Sequence, residues 1–135
     1  EFNIVASFEP KPIKGDWNGA GAHANFSTKT MRETGGVNHI KQIIKQLEAK
    51  HDEHIKIYGD NLASRLTGLH ETCSINEFRA GVADRGASIR IPHQVEETGY
   101  GYLEDRRPGA NCCPYQVCAK ILDTIMEESV IEAVA

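Results

Sequence analysis

The sequence predicts an α/β (α+β) domain in which a mostly antiparallel sheet carries helices packed on one side. Three features predict it. Apolar residues recur at helical spacing in two places, residues 37–55 and 114–134. Short stretches alternate with period two at residues 23–27, 88–91 and 102–106, the mark of half-buried strands. No regular strand–helix–strand repetition appears, which argues against a parallel, doubly wound sheet.

Composition sets the bounds. With 135 residues, 40% of them hydrophobic and 25% charged, the chain can bury one domain-sized core. A net charge of −4 gives no support for nucleic-acid binding or for a basic membrane patch. No apolar run reaches membrane-spanning length and no signal-peptide pattern opens the chain. Four cysteines are too few for a disulfide scaffold, which favours a reducing, cytoplasmic setting. The chain starts at Glu1 within a strand-like run, so a truncated or processed chain is expected.

Phe2 to Phe8 is apolar and β-branched enough to predict a buried strand, and Pro10, Pro12 and Gly15 then mark a loop. The next segment, WNGAGAHANFS from Trp17 to Ser27, changes character halfway. Asn18, Gly19, Ala20 and Gly21 allow a tight turn and close backbone approach to a ligand. His23, Asn25 and Ser27 then share one face of a strand, with Ala24 and Phe26 turned to the core. An imidazole and two hydrogen-bonding groups in a row suit a polar ligand.

Gly35–Gly36 precede a long helix whose stripe is Val37, Ile40, Ile43, Ile44, Leu47 and Ile55. His51 and His54 are one helical turn apart and could hold a metal. They lie among charges with no third ligand nearby, so an exposed helix end is the preferred reading. Residues 59–73 read as loop, with Arg65, His70 and Glu71 as its possible chemistry. In ADRGASIRI, Ser88 and Arg90 share one strand face and Ile89 and Ile91 the other, with Arg85 in the preceding turn. Planar guanidinium groups bind phosphate oxygens in pairs, yet most arginines are simply surface charges. In GYLEDRR, Tyr102, Glu104 and Arg106 project together, either as an exposed charge pair on an edge strand or as part of a site. Arg107 suits an ion pair or a ligand equally. Pro114 opens the final helix, whose stripe is Val117, Ile121, Leu122, Ile125 and Val130. Cys112, Cys113 and Cys118 match no strong zinc spacing.

Four blocks in order, NGAGAHANFSTK, RLTGLHET, GVADRGASIRIP and GYLEDRRPGANC, resemble the eukaryotic type of glutamine synthetase over nearly the whole chain. The resemblance implies the C-terminal portion of that family's catalytic domain, residues 1–135, with the N-terminal β-domain and the upstream catalytic part absent. It implies ligation of ammonia to glutamate at the expense of ATP, through γ-glutamyl phosphate. His23 and Glu104 would then bind a divalent metal, Mg²⁺ or Mn²⁺. Trp17, Asn18, Gly19, Arg65, Arg85 and Arg106 would face glutamate. Asn25, Ser27, Arg85, Arg90 and Tyr102 would face the nucleotide. Glu71, on a flap, would close the site and take a proton from ammonium, with Arg85 and Arg106 steadying the transferred phosphoryl and the reacting carboxyl. The family also implies a homo-oligomer of stacked, decamer-like rings, and an organellar form is compatible with it. Where that pattern commonly has an acid after NC, this chain has Cys113, which puts any inherited role there in doubt.

Neither a GxxxxGK[ST] loop nor a strand–GxGxxG–helix unit is present, so a nucleotide would rest on a sheet surface, metals and arginines. Two other readings stand beside the ligase. One is a guanidino-kinase-like phosphoryl transferase. The other is a non-enzymatic truncated isoform or assembly segment. The isolated chain is expected to be inactive, because two protein ligands hold a metal weakly.

Overall fold

The computed structural model describes residues 2–132. Four three-residue strands, β1 (Ala24–Phe26), β2 (Ala80–Val82), β3 (Ile89–Ile91) and β4 (Leu103–Asp105), form one sheet in the order β1-β4-β3-β2. β4 pairs antiparallel with β1 and with β3, while β2 joins β3 in parallel. The sheet is therefore mixed, not purely antiparallel. The parallel strand β2 lies at the edge, where the sequence shows no alternation to announce it.

Helix α1 (Val37–Ala49) follows the apolar stripe as expected: Ile40, Ile43 and Leu47 are buried against Met31, Ile89 and Leu103. The chain breaks at Lys50 and resumes as the short α2 (His51–Ile55). A further short helix, α3 (His93–Thr98), follows Pro92 and buries Val95. Helix α4 (Pro114–Glu132) seats Val117 and Ile121 on Tyr58, Leu62 and Leu66. Leu122 is not part of that stripe but 58% exposed, one position round the helix from Ile121. Val130 falls within α4, and the expected helix end at Val134 lies outside the described residues.

Two expectations are overturned. Phe2–Phe8 forms no strand, and Phe2, Ile4, Val5 and Phe8 are all exposed. A strand needs a neighbour for its N–H and C=O groups, and the ladders of the described sheet join only the four strands named above. His51 and His54 are not at an exposed helix end but buried, because polar partners meet them inside. Nor is β4 an edge strand. It lies between β1 and β3, so its odd- and even-numbered side chains enter two different environments.

Candidate functional site

The register of the sheet assembles the site. Asn25 faces Glu104 across β1 and β4, and Arg90 faces Glu104 across β3 and β4. Asn25, Glu104 and Arg90 thus form one rung on the face turned away from Phe26, Leu103 and Ile89. His23, one step before β1, reaches the same rung: its Nδ1 lies 3.0 Å from Glu104 Oε1. A carboxylate only accepts, so Nδ1–H donates and Nε2 is left bare. Burial, and then the neighbouring Arg106 charge, hold this imidazole below the ordinary histidine range even though Glu104 pulls the other way. The neutral ring with a bare Nε2 is the form that ligates metal.

Glu104 is surrounded by cations. Arg106 Nη1 donates to Oε1 at 3.2 Å, and Arg90 Nε lies 2.5 Å from Oε2. That second contact is charge against charge without hydrogen-bond alignment, since neither atom gains a hydrogen-bond partner from it. Arg106 Nη2 donates to the backbone oxygen of Glu71 at 3.4 Å, which ties the 66–72 loop to the sheet. The Glu71 carboxylate pairs with Arg85 at 3.5 Å, and His70 Nε2 meets Asp16 at 2.6 Å. His70 and Glu71 both have positive φ, 52° and 60°, so the loop tip holds two strained non-glycine residues.

Arg65 lies beneath this group. Its Nη2 donates to the carbonyls of Arg106, Arg107 and Pro108 at 3.1, 2.8 and 3.0 Å. Burial and then Arg106 lower its pKa to about 10, so it stays charged at neutral pH. The Gly-rich turn covers it. A Cβ on Gly19 would stand 2.5 Å from the Pro10 carbonyl and 2.8 Å from Arg65 Cγ, so only glycine fits. Ala22 N–H to Pro108 and Ala110 N–H to Ala20 fasten the turn to the segment after β4.

The expected residues fall into three groups. His23, Arg65, Glu71, Arg85, Arg90, Glu104 and Arg106 are brought together, and Asn25 adjoins them. Trp17 and Asn18 stay on the loop at the rim, where Trp17 Nε1 donates to Ile13 O at 2.8 Å. Ser27 and Tyr102 lie towards a separate cleft of about 290 Å³, lined by Arg32, Gln94, Val95, Thr98, Tyr100 and Tyr102 among others. Arg32 links the two, its Nη1 donating to Ser27 Oγ at 2.6 Å. The sequence reading missed Arg32. Its signal was faint, five residues past Ser27 in a single 3-10 turn, Thr30–Arg32.

His23 and Glu104 lie together but are bonded to each other through Nδ1, and no group of three His, Cys, Asp or Glu side chains that could hold a metal occurs among the described residues. His23 Nε2 and a Glu104 oxygen are at most two of the donors a divalent metal would need. Cys73, Cys112, Cys113 and Cys118 are free thiols.

The rung is a cluster of guanidinium groups about one carboxylate on a sheet face, the kind of charge arrangement that suits anionic groups. No protein-family model matches the chain. It is 58% identical to a glutamine synthetase of Neurospora crassa over 92% of its length, covering 34% of that protein. Against glutamine synthetases of Saccharomyces cerevisiae and Xenopus laevis the identity is 56% and 55%, over 93% and 96% of this chain and 34% of each relative. The chain is thus glutamine synthetase-family sequence over nearly its whole length, and it spans about a third of the length of the curated relatives it matches. No described helix is long and apolar enough to cross a membrane.

Proposed function

We propose that this chain contributes the flap and the phosphoryl-transfer face of an ATP-dependent glutamate–ammonia ligase. The observation that carries the proposal is the convergence of Arg90, Arg106, His23 and Glu104 on one rung, with Glu71 and Arg85 above it. In this reading a side-chain carboxylate oxygen of glutamate attacks the γ-phosphorus of ATP, and ADP departs. Fixed guanidinium groups offset the charge on the phosphoryl oxygens without having to reorganise. Ammonia then attacks the acyl carbon of the γ-glutamyl phosphate and phosphate leaves. The proton lost from ammonium goes to the Glu71 carboxylate, which flap closure brings into a drier and therefore stronger field.

The cleft beside Arg32 and Tyr102 fits a planar base, and Ser27 and Asn25 would hydrogen-bond its sugar. A bound Mg²⁺ or Mn²⁺ would screen the phosphates. His23 Nε2 would ligate it and Glu104 would supply the second donor or orient the ring. Arg65, already sharing Nη2 among three carbonyls, has its remaining amine for a substrate carboxylate. Assembly into a homo-oligomer would complete the site.

The test is a γ-glutamyl hydroxamate assay with glutamate, ATP, Mg²⁺ and hydroxylamine, on this chain and on one extended upstream. The expected result is activity in the extended protein alone, lost on His23→Ala or Glu104→Ala. Activity in neither, with the extended protein folded and assembled, would favour the non-enzymatic reading. Creatine or arginine replacing glutamate as phosphoryl acceptor would favour the guanidino-kinase reading.

A further inference from the structure

Behind the site lies a buried polar relay for which the proposed reaction has no direct use. Past β4 the even-numbered side chains, Glu104 and Arg106, face the site, and the odd-numbered ones, Asp105 and Arg107, face the helices. Asp105 is fully buried and Arg107 is 1% exposed. Arg107 wraps round Asp105 three times: its backbone N–H and its Nε donate to Oδ1 at 3.1 and 3.0 Å, and its Nη2 donates to Oδ2 at 2.8 Å. The intervening residue is Arg106. The clamp closes an Asx-type turn around it, so the backbone of 105–107 has little freedom.

The relay continues into the helices, and donor–acceptor logic gives each bond a direction. Tyr58 Oη donates to Asp105 Oδ2 at 2.7 Å, because a carboxylate can only accept. Tyr58 oxygen therefore accepts from His54 Nδ1–H at 2.6 Å. His54 Nε2 is then bare and accepts from the Thr124 hydroxyl at 2.7 Å. On the other side, Arg107 Nη1 can only donate, so His51 Nδ1 accepts it at 3.0 Å while His51 Nε2–H donates to Ile75 O at 2.9 Å. The rings of Tyr58 and Phe78 each lie 5.3 Å from the Arg107 guanidinium carbon. Each bond of the relay between Thr124 and Ile75 thus has one assigned direction.

We infer that His51, His54 and Tyr58 are positioning residues for the site: through Asp105 and Arg107 they aim the Arg106 guanidinium and hold two of the three carbonyls that seat Arg65. The inference rests on the proposed ligase reading for its effect on turnover, and on geometry alone for its effect on Arg106. Two observations support it. Arg106 Nε is buried without a hydrogen-bond partner, so the side chain's own bonds do not hold it fully and its backbone must. The carbonyls of Arg106 and Arg107, in and beside the clamp, both accept from Arg65 Nη2. One turn of chain thereby sets two site cations at once.

The test uses His51→Leu, Tyr58→Phe and Thr124→Val, with His51→Asn as the conservative rescue because its amide oxygen can replace Nδ1 as the acceptor for Arg107. In the extended protein, His51→Leu and Tyr58→Phe are expected to raise the KM for glutamate about tenfold and leave that for ATP within about twofold. His51→Asn should return it to near the parent value. A role in folding alone would lower the active fraction, and so kcat, with both KM values unchanged.

The second readout needs no turnover. In the 135-residue chain, ¹⁵N relaxation of the Arg106 Nε–H group should report a rigid side chain in the parent and in His51→Asn, and a mobile one in His51→Leu and Tyr58→Phe. Thr124→Val, nearly isosteric and at the far end of the relay, should show the same change in smaller measure and keeps the test readable if Tyr58→Phe unfolds. An unchanged Arg106 signal in the folded variants would overturn the inference. Absence of hydroxamate activity in the parent would instead count against the ligase reading and leave the Arg106 measurement to decide the relay.

Discussion

Two acid–arginine pairs sit side by side on one strand and its extension, Glu104 with Arg106 and Asp105 with Arg107. Both have the same spacing and the same charges. The first pair touches once, at 3.2 Å, and leaves Glu104 Oε2 and Arg106 Nε without hydrogen bonds. The second is fully engaged: Asp105 accepts from Arg107 three times and from Tyr58 once. Burial alone would raise the Asp105 carboxyl, but the Arg107 charge and its hydrogen bonds outweigh this and hold it below the usual range. A saturated pair has no valence left for a ligand and serves as structure. An unsaturated pair keeps hydrogen-bonding capacity that a ligand could take up.

Breaking each pair should therefore cost different things. The largest effect on stability is expected from Arg107→Met, which strands a buried carboxylate. It should lower the unfolding free energy by about 3–5 kcal/mol, read from urea denaturation. Glu104→Gln should cost stability far less. In the extended protein it should reduce hydroxamate turnover about 10²–10³-fold, the size of loss seen when one preorganised electrostatic group is removed. Equal effects of the two substitutions on stability would erase the distinction.

The third prediction concerns pH. Burial, then the Arg107 charge, push the His54 pKa down to about 4 from 6.5. The unfolded chain thus binds a proton between those values that the folded chain refuses. Stability from this group is complete above pH 6.5 and falls as the pH drops towards 4, by on the order of 3 kcal/mol. Urea midpoints across that window should slope less steeply in His54→Gln than in the parent. The smallest effect is expected at the flap. Glu71→Gln removes an exposed ion pair with Arg85 worth under about 0.5 kcal/mol, so the urea midpoint should barely move. Turnover with ammonium in the extended protein should fall all the same.

Much of the site could be read from the residues. Alternation placed Asn25, Arg90 and Glu104 on one face, and a three-strand register was enough to bring them together. The unread part has a common cause. His51 and His54 looked like a helix end among charges, because their partners Arg107, Ile75 and Thr124 come from distant parts of the chain, and only Tyr58, four residues past His54, is local. Phe2–Phe8 erred in the other direction: its composition asks for burial, but composition does not create a neighbouring strand. β2 was too short and too glycine-containing to alternate visibly.

The sequence by itself determined the periodic faces, the Gly-rich turn, the two long helices and the family, since each is written in neighbouring residues or in ordered blocks. The tertiary structure alone decided which face of each strand became the site and which carboxylate was sealed away. It also decided which arginine was left with unspent hydrogen bonds. Those outcomes depend on β4 lying between β1 and β3 with helices behind it. Desolvation and hydrogen-bond saturation are properties of what surrounds a group, and residues 104 to 107 acquire their different surroundings only when distant parts of the chain meet.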